Sequence, residues 1–512
     1  MKKAISKSID LVLVVPYQEI SAFGARLIDS YLREMGKEVI TVFFKKRSQE
    51  KSYPTKKEIS LLVDFIKEAH PLAVGFSVMS PFNVVARTLT SEIRRRINVP
   101  IIWGGVHPTV CPEECIDFAD ICCMGDGEVP LLRILDSLSE SGKIDLTASN
   151  CWIRNNGKVL RNPIRYVCTD LDGLPYADLS GRGKYFIDDN RIMKEDPYVT
   201  YILTRNKYDF KAFRGCPFTC TYCGNKAIWD VYKEAGNYIR KRSVDNVIGE
   251  LKEAVKRFPN INKFHSYDEV FTMDRKYVKD FSEKYEAVFN LPFSCDTHLK
   301  VLTGETVYSL AQAGLKEVSV GIEAFSETVR ASVYNRKMSN QEIIKQARML
   351  CEYGVRVDYD FIYDNPLETE SDIAECFWDL IIQLPRPCKF NNYSLSHLPK
   401  TELTQRFLDQ GLIKKEDIVG ASEKGLVQWK ATTNYQRDKG VVFWMVVFSL
   451  YAFSIEHGDR QYVIPLWVIR FIARSRSFVL AMLCQRIATA VKWCADGTVL
   501  INVAKKMGSI LK

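Results

Sequence analysis

Two successive series of short apolar blocks alternating with amphipathic helical segments fill most of this 512-residue chain and restrict its fold more than any other feature. Blocks at 9–15, 39–44, 72–78, 99–103 and 121–124 are too short for helices. Their mostly apolar character is that of strands buried on both faces. Helical spacing recurs between them, over 23–35, where it stops at Gly36, and over 84–96. A parallel sheet covered by helices is the economical solution, so the sequence predicts an α/β, Rossmann-like doubly wound domain over 1–142.

Residues 143–200 are richer in Asn, Gly, Asp and Pro, with NNGK and DLDGLPYADLSGRGK, and read as a linker with a small hairpin. The second series covers 201–415, with strands expected near 211, 263–267, 293–296, 317–322, 357–363 and 390–394 and helices over 244–257, 275–288 and 340–353. Six such units predict a partial (β/α)6 barrel with its chemistry at the carboxyl ends of the strands. The remainder, 416–512, reads as a helical, basic and apolar domain.

A hydrophobic fraction of 46% excludes a disordered chain. No run of eighteen apolar residues occurs, and 441–455 comes nearest, so no ordinary transmembrane span is expected. The start, MKKAISKSIDLVLVV, reads as a first strand and not a signal peptide, since its apolar run is short and lacks a small-residue cleavage site. Fifteen irregularly spaced cysteines then indicate a reducing, cytoplasmic setting. Of the net charge of +9, residues 426–512 carry +8, from 12 Lys and Arg against 4 Asp and Glu. Basic residues set among apolar stretches suit a membrane surface better than nucleic acid, so no nucleic-acid partner is expected.

The most specific motif is GCPFTCTYCGN, which sets Cys216, Cys220 and Cys223 in a C-x3-C-x2-C array. With this many cysteines the spacing arises by chance with a probability of about 0.01. Three soft thiolates on one tight loop suit an iron-sulfur cluster, and a four-iron cluster would keep one iron open. A structural zinc site would need a fourth ligand, and no nearby Cys or His supplies one.

This array, with Tyr222 ahead of the third cysteine, resembles that of the radical S-adenosylmethionine (radical SAM) enzymes over about 201–412. The resemblance implies a 4Fe-4S cluster on Cys216, Cys220 and Cys223, the catalytic and metal-binding residues. Its open iron would chelate the amino and carboxylate groups of S-adenosylmethionine and cleave it reductively to a 5′-deoxyadenosyl radical. Further positions carried over as S-adenosylmethionine contacts are Tyr222, then Asp268 and Glu269 in HSYDEVFT, where a carboxylate would take the methionine ammonium. Thr297, His298 and Lys300 in SCDTHLK would reach the ribose or carboxylate, Glu323 in VSVGIEAFSE would point into the barrel, and the backbone edge at Tyr363 would meet adenine. By composition alone the acidic pair also suits a solvated turn, and Glu323 an ion pair.

In the amino-terminal domain, Ser77 in VGFSVMS and Gly104 and Gly105 in IIWGGVHPT end two strands, and glycines there let a bulky ligand lie across the sheet. Together with ICCMGDGEVPLL they resemble the cobalamin-binding domain that precedes the barrel in a large radical SAM class, the class B methyltransferases. Implied cobalamin contacts are Ser77, Ser80, Gly104, Gly105, His107, Gly125, Gly127 and Glu128. The D-x-H-x-x-G motif that supplies a cobalt ligand elsewhere is replaced by PYQEISAFG, which implies a His-off cofactor. His107 is also compatible with merely capping the following turn.

The two resemblances together imply a cobalamin-dependent C-methyltransferase acting on an unactivated carbon of a small or hydrophobic, lipid-like substrate. A second S-adenosylmethionine would remethylate cobalt, and a reductase such as flavodoxin or ferredoxin would supply electrons. Radical cyclisation or rearrangement, with or without cobalamin, is the alternative. A non-enzymatic cobalamin or iron-sulfur sensor would change spectrum without turning over S-adenosylmethionine. A tRNA-modifying role lacks support, because neither a nucleic-acid module nor a second cysteine triad is present. The apolar helices around Arg470, Arg474, Arg476, Arg486 and Lys492 would either cap the barrel mouth as core or dock peripherally on the inner face of a membrane.

Overall fold

The computed structural model describes residues 8–17, 21–45, 53–421, 438–456, 466–477 and 480–483. Arg486 and Lys492 lie outside the described residues. Two compact units result, Met1–Cys295 with Ser396–Ala431, and Asp296–Leu395 with Thr432–Lys512.

The first unit is built on a nine-stranded sheet of β1 (Leu11–Val15), β2 (Val39–Phe44), β3 (Ala73–Ser77), β4 (Ile101–Gly104), β5 (Ile121–Cys123), β6 (Cys151–Asn155), β7 (Lys158–Arg161), β8 (Lys184–Asp188) and β9 (Arg191–Met193). Their order is β7-β6-β5-β4-β3-β1-β2-β8-β9. β1 to β5 run parallel, with Leu11 opposite both Val39 and Ala73. Every residue of β1 and β2 is buried, because helices cover both faces. The helices are set by local signals: Thr55 and Glu58 form a capping box at the start of Lys56–Ala69, and Gly142, in the left-handed region, stops Glu128–Ser141.

Residues 143–200 do more than link. β6 and β7 form an antiparallel hairpin that extends the sheet from β5, and β8 pairs in parallel with β2. Alternation is faint in this segment because β7 is an edge strand whose residues are exposed or half-buried. Buried ion pairs fasten it down, Arg26 to Asp196 at 2.7 Å and Lys184 to Asp29.

The first unit also carries the opening strands of the second series, β10 (Lys207–Phe210), β13 (Lys263–Ser266) and the first three residues of β14 (Phe293–Thr297). They are parallel, in register Tyr208 to Phe264 and Phe264 to Phe293. The first of them ends just before Lys211, where the sequence places a strand. A two-stranded ribbon, β11 (Phe213–Arg214) with β12 (Arg240–Lys241), follows it and runs antiparallel.

In the second unit, β15 (Leu315–Glu323), β16 (Arg356–Tyr363) and β17 (Cys388–Ser394) are parallel. Alternate residues of β16, Val357, Tyr359, Phe361 and Tyr363, are buried. Helix Lys439–Glu456 packs against that aromatic face, with Phe448 5.7 Å from Phe325 and 6.1 Å from Phe361, Tyr451 6.2 Å from Phe390, and Trp444 5.5 Å from Phe377. This helix is therefore core, which accounts for its apolar composition. Among the described residues no helix is long and apolar enough to cross a membrane.

Candidate functional site

Gly215 opens the cysteine loop at φ +96°, and a Cβ there would sit 2.8 Å from the Tyr238 carbonyl oxygen, so only glycine lets the chain turn this close to its neighbour. The loop closes where the Cys223 N–H donates to the Cys220 carbonyl at 3.1 Å and Cys223 caps helix Gly224–Tyr232. Cys220 is buried, while Cys216 and Cys223 are half-exposed. Among the described residues no three His, Cys, Asp or Glu side chains converge on a single-ion site. Three thiols spaced round one loop fit a polynuclear iron-sulfur cluster better than one zinc ion.

At the carboxyl ends of β1, β3, β4 and β5 lies a cavity of about 380 Å³. This is where ligands of open α/β sheets bind. Ser77, Gly104, Gly105, Gly125, Gly127 and Glu128 all line it, and so do Lys211, Ala212, Phe213 and Arg214, which lead from β10 into the cysteine loop. Gly105 has φ +101°, and a Cβ on it would approach Val78 N and O to 3.0 Å; one on Gly104 would meet nothing closer than 3.7 Å. Glycines at the strand ends thus keep a largely apolar floor open, which suits a flat corrin. Ser77 Oγ is 3.1 Å from the hydroxyl of Tyr17, so a tyrosine stands where a D-x-H-x-x-G loop would begin.

Ser80 and His107 are brought together, but away from this lining. His107 Nδ1 is 3.1 Å from Ser80 Oγ, and both side chains are buried. Burial, with Arg87 adding to it, pushes the imidazole down to about 4. The pair pins the 3-10 turn Ser80–Phe82 to helix Val106–Val110. That gives His107 a local structural task like the turn cap expected as its alternative.

Asp268 is fully buried and turned to the backbone: it accepts from the N–H of Phe213 at 2.7 Å, from that of Ala212 at 3.0 Å, and from Ser266 Oγ at 2.7 Å. Burial raises its carboxyl to about 6 despite these bonds and Lys211. Both oxygens thereby hold the approach to the cysteine loop. Glu269 accepts from Lys211 Nζ at 2.9 Å through one oxygen, and the other, Oε2, is buried without a hydrogen-bond partner. Tyr222 sits in the cysteine loop, half-buried.

Thr297, His298, Lys300, Glu323 and Tyr363 belong to the second unit. His298 is buried, and its Nδ1 accepts from the Lys300 N–H at 3.1 Å. Burial, helped by Arg336 and Lys300, lowers its imidazole to about 2 and keeps it neutral. Thr297 is buried and Lys300 exposed. Glu323 has φ +73° at a bulge that ends β15, and Arg336 donates to the Gly321 carbonyl at 2.6 Å beside it. Tyr363 has its ring in the aromatic layer, 4.6 Å from Phe325, while its carbonyl accepts from the Leu395 N–H at 2.8 Å.

Two groups escape sequence reasoning. Asp360, in mid-β16, accepts from Asn391 at 2.9 Å, and burial, together with Glu323 and Asp296, outweighs that bond and raises it to about 7. Arg214 donates at 2.6 Å to Asp126 and at 2.6 Å to Glu128. The only signal for Arg214 was its place two residues before Cys216.

The B12-binding domain family matches residues 9–135, and the radical SAM superfamily matches 210–377. An anaerobic magnesium-protoporphyrin IX monomethyl ester cyclase from Rubrivivax gelatinosus is 25% identical over 421 residues, covering 77% of this chain and 69% of that protein. The bacteriochlorophyllide d C-8(2)-methyltransferase of Chlorobaculum tepidum is 23% identical over 350 residues, 65% of this chain and 67% of that protein. Among solved structures, the radical S-adenosylmethionine methyltransferase TsrM from Kitasatospora setae, with cobalamin and a [4Fe-4S] cluster bound, shares the fold at a TM-score of 0.62 and 17% identity, over 79% of this chain and 75% of that one. The chain thus carries a B12-binding domain followed by a radical SAM domain, a pairing that implies cobalamin, S-adenosylmethionine and a 4Fe-4S cluster as its cofactors.

Proposed function

We propose that the protein methylates an unactivated carbon of a hydrophobic small molecule, with 1–142 holding cobalamin, 201–415 holding the cluster and S-adenosylmethionine, and 416–512 as the helical remainder after the 143–200 segment. The observation that carries this reading is the cavity whose wall is formed both by the strand ends of the B12-binding domain and by Lys211–Arg214, the residues entering the cysteine loop. When bound, the cluster and S-adenosylmethionine supply a hydrogen-abstracting radical, and cobalamin supplies a transferable methyl group. The chain's own part is to orient and to exclude water: the glycines open the cavity and Asp268 fixes the loop entry. A porphyrin-type macrocycle is the favoured substrate, since the curated relatives above are named for magnesium-protoporphyrin IX monomethyl ester and for bacteriochlorophyllide d. Cyclisation is the second reading, favoured by the cyclase among them.

The test is anaerobic turnover of the reconstituted protein with methyl-labelled S-adenosylmethionine, cobalamin, dithionite and magnesium-protoporphyrin IX monomethyl ester as the probe substrate. Methylation yields S-adenosylhomocysteine, 5′-deoxyadenosine and a product carrying the labelled methyl. Cyclisation yields 5′-deoxyadenosine and a product without it. Absence of bound cobalt and of 5′-deoxyadenosine sinks both.

We also propose that helix Leu466–Ser475 touches an anionic membrane surface, where a hydrophobic substrate would partition. Ile469 and Ile472 are buried, whereas Phe471 is 58% exposed between exposed Arg470 and Arg474. An apolar tip flanked by cations is the pattern of an interfacial contact.

A further inference from the structure

The cysteine loop is fastened at both ends to one short segment of the B12-binding domain, Gly125–Glu128. On the entry side, Arg214 spans Asp126 and Glu128, and Arg240 grips the other oxygen of Asp126 while donating to the Cys168 carbonyl at 2.9 Å. On the exit side, helix Gly224–Tyr232 ends with the Tyr232 ring under Arg240 at 5.5 Å, and a Cβ on Gly125 would sit only 2.6 Å from the Tyr232 hydroxyl. Ala227 of the same helix packs on Val110 and Cys111. Glu128 lines the cavity and is 3% exposed, and its second oxygen, Oε2, is buried without a hydrogen-bond partner.

Glu128 and Arg214 both line the cavity; an unpaired buried carboxylate oxygen is costly until a donor reaches it, and the peripheral amides of a corrin are such donors. A ligand that satisfies Glu128 therefore acts on a side chain already gripped by Arg214, two residues from the first cluster cysteine. A fork that bridges two carboxylates also resists their independent movement.

We infer that Arg214 is a positioning residue that makes occupancy of the cobalamin cavity and retention of the iron-sulfur cluster mutually dependent, with Glu128 as the group that senses the corrin. Linkage requires the effect to be reciprocal. The inference rests on the reading that this cavity takes cobalamin.

The experiment titrates hydroxocobalamin into full-length protein with and without its cluster, comparing wild type with Arg214→Gln and Arg214→Lys. Wild type is expected to bind about tenfold more tightly when the cluster is present, within the ordinary range of such coupling. Arg214→Gln should bind equally in both states and release iron faster on dialysis. Arg214→Lys, whose ammonium is a point charge, should keep part of the difference. The electron paramagnetic resonance of the reduced cluster should shift on adding cobalamin in wild type and stay put in Arg214→Gln. Should Arg214→Gln fail to fold, Glu128→Gln serves in its place. A wild type that binds cobalamin equally with and without the cluster, or a folded Arg214→Gln that keeps the full difference, overturns this inference alone. A wild type that binds no cobalamin overturns the cofactor reading as well.

Discussion

The carboxylate of Asp268 accepts the backbone N–H of Phe213 at 2.7 Å, three residues ahead of Cys216, the first cysteine of the loop. A carboxylate beyond the second barrel strand thereby fixes where the cysteine loop begins. Asp268→Ala would strand the N–H groups of Ala212 and Phe213, both buried, at about 1–3 kcal/mol each. The variant is expected to melt several degrees lower and to take up less iron on reconstitution. Asp268→Asn, which keeps one acceptor oxygen, should fall between. Iron analysis beside thermal denaturation checks both, and full iron uptake by the alanine variant would contradict this role.

His107 makes a pH-dependent contribution. Its folded pKa, pushed down to about 4 by burial, lies below the ordinary 6.5. The unfolded chain binds the proton first, so stability falls as pH drops from about 6.5 to about 4 and is unaffected above that window. The whole loss is on the order of 3 kcal/mol. Denaturant unfolding of wild type and His107→Asn at pH 7.5, 6 and 4.5 should show a smaller acid loss in the variant; parallel curves would refute it.

Gly104 and Gly105 separate cavity shape from backbone strain. Gly104→Ala adds a methyl with no neighbour closer than 3.7 Å, so the fold should tolerate it while cobalamin binding weakens. Gly105→Ala combines φ +101° with contacts of 3.0 Å to Val78, so both melting temperature and binding should drop. Cobalamin titration and thermal melts of the two variants test the contrast, which fails if Gly104→Ala loses stability as Gly105→Ala does.

Trp444 is 1% exposed, and its indole Nε1 is buried without a hydrogen-bond partner. Trp444→Ala should cost about 3–5 kcal/mol through the cavity it leaves. Trp444→Phe removes the unsatisfied N–H along with some volume and should cost less than about 1.5 kcal/mol. Equal losses in denaturant titrations would refute this account, because the alanine variant leaves the larger cavity.

Membrane contact is checked by co-sedimentation with anionic vesicles. The double variant Arg470→Glu, Phe471→Ser should lose most vesicle binding while its melting temperature holds, because both side chains are exposed. Unchanged binding would assign helix Leu466–Ser475 to another task.

Apolar blocks that are buried on both faces leave the same trace in any context, so β1 to β5 and the later parallel strands were legible from the chain alone. The C-x3-C-x2-C loop stood out for a similar reason: its three cysteines lie within eight residues, so the spacing is a local property. Strand-end glycines at Gly104, Gly105, Gly125 and Gly127 could also be read, because a required backbone shape restricts residue type. Tertiary structure alone decided what the long-range polar groups do. The amides that Asp268 accepts lie 55 and 56 residues away. His107 and Ser80 face each other and not the cavity, and Arg214 meets Asp126 and Glu128 across 88 and 86 residues. Backbone shape and side-chain periodicity are local properties and are written into neighbouring residues. The partner of a buried charge is chosen by whatever the folded chain brings within 3 Å, and no local pattern records that choice.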